Sequence, residues 1–144
     1  MSTQNYENHG RFVPLYHFGL SAIMLTALVT SCWNFYRALA HGSGRLVGLT
    51  LILLTLAGLL LFWFSRVFAL RAQDRAIRAE ENLRHYVLTG SLLDPRLRIG
   101  QVIGLRFASD EEFGDLALRA AEEELAPSAI KQAIKEWRAD HHRV

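Results

Sequence analysis

Histidine is the residue type in this 144-residue chain best suited to binding haem or a metal ion, and two histidines stand out by position. His9 and His17 flank the start of the first apolar stretch, with Tyr16 between them. An imidazole pair there could bind haem or a quinone, although polar side chains at the edge of a membrane span more often serve as interfacial anchors. No histidine has the His-x3-His or Glu-x-x-His spacing of a helical metal site. The sequence therefore predicts no cofactor and no metal ion, with His9 and His17 the only cofactor candidates.

Carboxylates form two runs, 110–112 and 122–124, that could suggest acid catalysis. Consecutive residues of a helix point in different directions, so neither run forms a pair of facing acids. The sequence has no Gly-rich phosphate loop and no nucleophile elbow. The single cysteine, Cys32, lies in an apolar stretch, which disfavours a reactive thiolate. These patterns predict a protein that is not an enzyme.

Two apolar stretches dominate the first half of the chain. Residues 46–65 contain no Asp, Glu, Lys or Arg, and twenty such residues are enough to cross a bilayer as a helix. Residues 12–36 are also uncharged and carry aromatic side chains at both ends, as spans do at membrane interfaces. We therefore predict a polar lead-in at 1–11 and a transmembrane hairpin at 12–65, with spans at about residues 14–36 and 46–65.

Small and hydroxyl side chains are expected to hold the two spans together. Apolar surface gains nothing by leaving lipid for another helix, so close packing and hydroxyl hydrogen bonds must supply the attraction. Thr26 and Thr30 of the first span share one helical face. We predict that they face Thr55 and Gly58 of the second span.

Arginine residues near the span ends predict the orientation of the hairpin. Two arginines lie in the turn between the spans, and more lie on the side of the two chain termini, which favours cytoplasmic termini. The sequence thus predicts a multi-pass membrane protein with both termini in the cytoplasm. The arginines compared are Arg37 and Arg45 in the turn, against Arg11, Arg66, Arg71, Arg75 and Arg78.

The second span is predicted to continue as a helical stalk. No Pro or Gly interrupts residues 66–89, so the helix should run to about Leu88. Leu70, Ile77 and Leu83 recur about every seven residues and should form a narrow apolar stripe. Periodicity leaves open whether this stripe packs within one chain or between two chains.

Residues 66–144 are predicted to form a cytoplasmic tail with a cluster of about three helices after the stalk. No segment of the tail alternates with period two, so no sheet is expected and the fold class is all-α. Asp94 and Pro95 should begin the first of these helices. The segment 97–107 should either be the buried element of the tail or lie against lipid, with Leu105 outside its apolar face.

The next helix of the tail should begin at the capping-box pattern Ser109-x-x-Glu112 and end near Leu125. The last helix should run from about Ser128. Its apolar residues either lie on the membrane surface, with basic side chains beside them, or pack against the rest of the tail including Leu83. The inward-facing residues predicted for the two helices are Phe113, Leu116, Ala117, Ala120 and Ala121, followed by Ile130, Ile134 and Trp137.

Charged residues of the tail are nearly balanced in sign, which argues against a nucleic-acid surface. Opposite charges on the stalk and in the tail predict a cluster in which Arg106 or Arg78 contacts Asp110 or Glu112. We expect this charge cluster to take part in interactions. Its predicted members are Asp74, Arg75, Arg78, Arg106, Asp110, Glu112, Trp137 and Arg138.

Several blocks of sequence resemble a family of small bacterial two-span membrane proteins of unknown function. The blocks are the lead-in pattern QNY-x-NH-x-R-x-x-P-x-YH at 4–17, LRAQDRAIR at 70–78, LRFASDEE at 105–112 and IK-x-x-IK-x-WRAD at 130–140. The resemblance covers nearly the whole chain. It implies a membrane hairpin and a bacterial origin, and it carries no activity, cofactor or catalytic residue.

The features together favour a non-enzymatic membrane protein that acts as an accessory or scaffold subunit through its cytoplasmic helices. Its expected partners are the lipid bilayer and either another membrane protein or further copies of itself. A homo-oligomeric pore or transport component is the alternative, since a single hairpin encloses no path. A redox partner that binds haem or quinone through His9 and His17 is a third hypothesis.

Overall fold

The computed structural model describes residues 5–6 and 13–140, and these residues form helices without a β-sheet. This confirms the predicted all-α class. The described residues divide into two compact units, a hairpin at 13–68 and a tail that combines residues 5–6 with 69–140. A π-helical segment at Leu15–Leu20 leads directly into the first α-helix. The α-helices are α1 (Ser21–His41), α2 (Arg45–Thr89), α3 (Ile99–Leu105), α4 (Asp110–Glu122) and α5 (Pro127–Ala133).

The hairpin contains two helices that are long and apolar enough to cross a membrane, Leu15–His41 and Arg45–Thr89. In the most apolar window of each helix, 6% of the residues are buried. Helix α1 runs beyond the predicted span end at residue 36, and the turn is confined to residues 42–44. Gly42 and Gly44 both have φ of 75°, a left-handed conformation that glycine adopts without steric cost.

The hairpin seam differs from the predicted one. Thr26 and Thr30 are exposed, and their hydroxyls donate to the carbonyls of Ala22 and Thr26, each 2.9 Å away on their own helix. Thr55 likewise donates to Leu51 O at 2.8 Å. A hydroxyl satisfied by its own helix gains little from facing a second helix, which explains why the prediction for these threonines was wrong.

Bulky residues of α1 lie over glycines of α2 instead. A Cβ added at Gly48 would lie 3.0 Å from Cα of Phe35, and one added at Gly58 would lie 3.6 Å from Sδ of Met24. Between them on α1, Ser31 is buried. Gly58 is therefore a packing residue as predicted, but Met24 rather than a threonine is its neighbour.

Helix α2 continues without a break to Thr89, as the predicted stalk required. It ends at Gly90, whose φ is 78° and whose N–H donates to Tyr86 O at 2.8 Å. This left-handed glycine closes the last turn of the helix.

The tail has a hydrophobic core to which α2, α3, α4 and α5 all contribute. Ile77 is the buried apolar residue of the α2 stalk, and Ile130 is that of α5. The inward face predicted for α4 is confirmed, since Phe113, Leu116, Ala117, Ala120 and Ala121 are all buried. The largest fully buried side chains are Phe107, Phe113, Leu97, Leu105, Ile130 and Val102.

Two leucines of the tail do not lie where the periodicity predicted. Leu105 is fully buried, because α3 packs against both α4 and α5 and so buries more than one face. Leu83 is 63% exposed. The stalk packs inward through Ile77, Glu81 and Arg84, and Leu83 lies about 100° around the helix from Arg84.

Helix boundaries in the tail also differ from the predicted ones. Asp94 and Pro95 lie in a turn before α3 rather than in its first turn. Helix α4 ends at Glu122 and α5 at Ala133, both earlier than predicted. Trp137 lies beyond α5 in extended chain and forms an isolated antiparallel bridge with Ala108.

Candidate interaction site of the tail

Arg84 lies at the centre of a buried ion network in the tail. Its Nη1 is 3.0 Å from Oε2 of Glu81, and its Nε and Nη2 lie 2.7 and 2.6 Å from Oδ1 of Asp110. Nη2 also donates to the carbonyl of Ala108 at 2.8 Å. The guanidinium carbon lies 4.2 Å from the ring centre of Phe113, a cation–π contact. These contacts join the stalk to the start of α4.

The Arg84 network replaces the predicted pairing of Asp110. Asp110 was predicted to contact Arg106 or Arg78, but its partner is Arg84. The side chains of Arg84 and Glu81 are each only 10% exposed, whereas that of Asp110 is 59% exposed. A buried ion pair needs hydrogen bonds to offset its lost hydration, and the Ala108 carbonyl supplies one.

Glu112 holds the chain that follows α5. Its Oε2 accepts the N–H of Lys135 at 3.1 Å, and its Oε1 accepts the N–H of Glu136 at 3.2 Å. Ile134 adopts extended dihedral angles at this point. Since a carboxylate competes well for backbone N–H groups, this contact explains why α5 is short.

Arg106 and Trp137 fix the same C-terminal segment against the core. Arg106 Nη1 lies 3.2 Å from Oδ2 of Asp140, and its guanidinium carbon lies 4.6 Å from the ring centre of Phe107. The rings of Phe107 and Trp137 have centroids 4.9 Å apart. Arg138 is exposed, and its backbone N–H donates to Phe107 O at 2.8 Å. Trp137 thus packs within the tail.

The remaining members of the predicted charge cluster lie on the stalk. Arg78 donates through Nη2 to Leu97 O and so also serves the internal structure. Asp74 is partly buried and Arg75 is exposed. The structure therefore does not bring the eight predicted residues together. Most of them form contacts within the tail.

Sequence reasoning missed Gln101, which is buried and fully hydrogen-bonded. Its Oε1 accepts the N–H of Arg98 at 2.8 Å, and its Nε2 donates to Ala120 O at 3.1 Å and to Leu125 O at 3.0 Å. The signal in the sequence was an uncharged polar side chain within the mostly apolar segment 97–107, which indicates a buried hydrogen-bonding role.

Near Gln101 lies a surface pocket of about 350 Å³ in which both signs of charge are present. Arg96 at its edge binds the carboxylate of Asp94 at 2.7 Å. Hydrogen bonds from Arg96 lower the pKa of Asp94 to about 2. The pocket is lined by Arg96, Arg98, Gln101, Ala121, Glu122 and Glu124.

A histidine and two hydroxyl residues meet where α2 ends. Thr89 Oγ1 lies 3.1 Å from Nδ1 of His85 and 3.0 Å from Oγ of Ser91. The same Nδ1 lies 2.7 Å from the carbonyl oxygen of Ser91, and a carbonyl only accepts, so Nδ1 carries the proton. A protonated Nδ1 is no base for the Thr89 hydroxyl, and the cluster works as a helix cap.

Of the two histidines considered for a cofactor, His9 lies outside the described residues. His17 Nδ1 lies 2.9 Å from Val13 O, and its ring meets that of Tyr16 edge-on at 5.3 Å. Within residues 5–6 and 13–140 no group of three or more His, Cys, Asp or Glu could hold a metal ion.

Opposite the core-facing residues of the stalk lies a surface that we call the outward face of α2. Its large apolar members Leu83, Tyr86 and Val87 are 63%, 54% and 75% exposed. Arg75 and Glu80 flank it and form no ion pair with any residue that the structure describes. The face consists of Ala69, Ala72, Ala76, Ala79, Leu83, Tyr86 and Val87, all of them exposed.

Comparison with known proteins places the chain in a family without supplying an activity. No curated protein and no solved structure matches it significantly. The chain matches the family of unknown function DUF6526 over residues 1–144, and it therefore belongs to that family.

Proposed function

We propose that this chain is a non-enzymatic integral protein of the bacterial inner membrane, in which the hairpin anchors a cytoplasmic tail that binds other proteins as an accessory or scaffold subunit. The observation that carries the proposal is the contrast between the two units. The hairpin turns large apolar side chains outward along both helices, whereas the tail buries most of its large apolar side chains in a core and leaves an apolar face of α2 exposed.

Lipid is the solvent that suits the hairpin. Trp33, Leu61 and Trp63 are between 63% and 71% exposed, together with many aliphatic residues of α1 and α2. So large a continuous apolar surface is unfavourable in water, whereas the hydrocarbon core of a bilayer solvates it. Arg66, Arg71 and Arg75 after the second span favour a cytoplasmic tail.

The tail suits binding better than catalysis. Its buried charged groups pair within the tail and so stabilise the domain itself, as Arg84 does with Glu81 and Arg106 with Asp140. The His85–Thr89 pair, which resembles a base and a nucleophile, has the proton on the wrong nitrogen for that role. The exposed part of the stalk with the composition of a binding surface is the outward face of α2.

Cysteine accessibility tests the membrane anchor and its orientation. In a Cys32→Ser background, Ser43→Cys places a thiol in the hairpin turn and Ser128→Cys places one on α5, both at exposed positions. On intact spheroplasts, an impermeant maleimide should label the Ser43→Cys variant at once and the Ser128→Cys variant only after the membrane is opened. The reverse pattern would overturn the orientation, and extraction of the protein by alkaline carbonate would overturn the membrane anchor.

Native mass spectrometry of the gently extracted complex tests the binding role. Wild-type protein should be found in assemblies of fixed stoichiometry, and Val87→Glu, which places a charge on the outward face, should dissociate them. Glu111→Arg, at an exposed position of α4, is the control that changes a charge elsewhere in the tail. A monomeric wild-type protein in the intact membrane extract would contradict the proposal.

A further inference from the structure

The outward face of α2 repeats with the spacing of a coiled-coil seam. Six of its seven residues, from Ala69 to Tyr86, follow one another at alternating steps of three and four residues over three heptads, which keeps them on one line along a slightly supercoiled helix. All six are exposed in the tail. In heptad notation, Ala69, Ala76 and Leu83 occupy a positions, and Ala72, Ala79 and Tyr86 occupy d positions.

The charges beside this seam are complementary to a second copy of the same helix. Arg75 occupies a g position and Glu80 the following e position, the pair that bonds between chains in a parallel two-stranded coiled coil. Within one helix, residues five apart lie roughly 140° around the axis and cannot meet. Both side chains are exposed, and no ion-pair partner exists for either of them among residues 5–6 and 13–140.

We propose that the outward face of α2 binds the same face of a second copy of this chain as a parallel two-helix coiled coil, with Arg75 of each copy bonded to Glu80 of the other. The alanines allow the helix axes to approach closely near the start of the seam. Leu83 and Tyr86 bury the larger apolar area near its end. The core-facing residues Ile77 and Arg84 lie on another side of α2, so each copy keeps its own tail intact.

The parallel arrangement rests on the proposed function, since two copies inserted with the same orientation present α2 in the same direction. Membrane anchoring also explains how three heptads suffice. Confinement to one bilayer raises the effective concentration of the second helix, so a seam too weak in solution can close. The partner is therefore a second copy rather than an unrelated soluble protein.

Disulfide cross-linking in isolated membranes tests the seam. In a Cys32→Ser background, Ala72→Cys and Ala79→Cys place thiols on the seam, and Arg71→Cys places one on the adjacent residue outside it. Mild oxidation should give a disulfide-linked dimer for the two seam variants and little for Arg71→Cys. Equal cross-linking at all three positions would indicate random collision and overturn the proposal.

A charge swap tests the identity of the partner. Each charge change is made in a variant that carries a seam cysteine. Arg75→Glu or Glu80→Arg alone places like charges across the seam and should cause loss of most of the disulfide-linked dimer. The double variant Arg75→Glu/Glu80→Arg should restore it, because the opposite charges then meet again between copies. Glu111→Arg should leave the dimer unchanged.

The same membranes separate failure of this inference from failure of the proposed function. A separate portion of each sample is washed with alkaline carbonate while the rest is oxidised, so a protein that stays in the membrane but gives no dimer overturns only the inference. A protein that leaves the membrane overturns the anchor. A cross-linked adduct with a different protein in place of the dimer would also overturn the second copy as the partner.

Discussion

Many large apolar side chains are exposed in the hairpin, whereas most of those in the tail are buried, although both units are helical. Trp33 and Trp63 are mostly exposed in the first unit, whereas Phe107 and Phe113 are fully buried in the second. The tail is stabilised by removing such surface from water. The hairpin is stabilised by close approach at Gly48, where a side chain on α2 would collide with the backbone of Phe35. The two helical units thus differ in the kind of surface that they turn outward.

Shortening a buried aromatic residue of the tail should have the largest effect on stability, and shortening an exposed one of the hairpin should have none. Phe113→Ala should lower the free energy of unfolding of the tail by about 3–5 kcal/mol, because it removes a fully buried ring and leaves a cavity. Phe18→Ala, at an exposed hairpin position, should leave it unchanged. The measurement is proteolysis of the tail against urea concentration in detergent micelles. Equal effects of the two variants would contradict the contrast between the units.

Removing the buried cation of the tail should have the next largest effect. Arg84→Met leaves the Glu81 carboxylate buried without its partner and should cost about 3 kcal/mol in the same assay. Arg84→Met/Glu81→Leu removes both charges and should recover much of that loss. If the double variant were less stable than the single one, the cost of Arg84→Met would not come from the unpaired carboxylate of Glu81.

The hairpin seam is tested by comparing a glycine with a threonine. Gly48→Ala forces a Cβ to within 3.0 Å of the Phe35 backbone and should destabilise the helix pair by about 1–3 kcal/mol. Thr26→Val, on the exposed side of α1, should change stability by less than about 0.5 kcal/mol. Unfolding by sodium dodecyl sulfate in mixed micelles, followed by circular dichroism, measures both. A larger effect at Thr26 would restore the threonine seam.

The smallest expected effect concerns an exposed charge pair of the tail. The carboxyl of Asp94 should titrate with a pKa of about 2, and Arg96→Gln should raise that pKa toward its ordinary value of 3.8. Because the folded pKa is lowered, the pair favours the folded state above the ordinary pKa of aspartate, and this contribution is lost as the pH falls toward 2. Carbon NMR of the carboxyl group measures the shift. If the pKa of Asp94 were unchanged in Arg96→Gln, Arg96 would not be the cause of the lowered pKa. Arg119→Gln is the control and should leave the pKa of Asp94 as it is.

The sequence was sufficient for features that depend on a single helix. The absence of charge over 46–65 and of Pro or Gly over 66–89 predicted the length and course of α2. The spacing of residues from Phe113 to Ala121 predicted the buried face of α4. Each of these follows from helical periodicity alone.

Features that depend on two partners could not be predicted in the same way. Asp110 has several arginines within reach in sequence, and only the fold selects Arg84. Leu105 is buried because α3 has neighbours on two sides, and α5 ends early because Glu112 captures the next N–H groups. Thr26 and Thr30 satisfy their hydroxyls locally, which a pattern of small residues does not reveal.

Gln101 has a consequence for how this family tolerates changes in chain length. Its amide binds three backbone groups, at Arg98, Ala120 and Leu125, that lie in three different segments of the tail. Insertion or deletion of one residue between 101 and 120 would shift two of those groups away from the amide together, and one between 120 and 125 would shift the Leu125 carbonyl. The hairpin turn at 42–44 is exposed and carries no such constraint. We therefore expect relatives of this chain to vary in length at the hairpin turn and to keep a constant count of residues from 98 to 125.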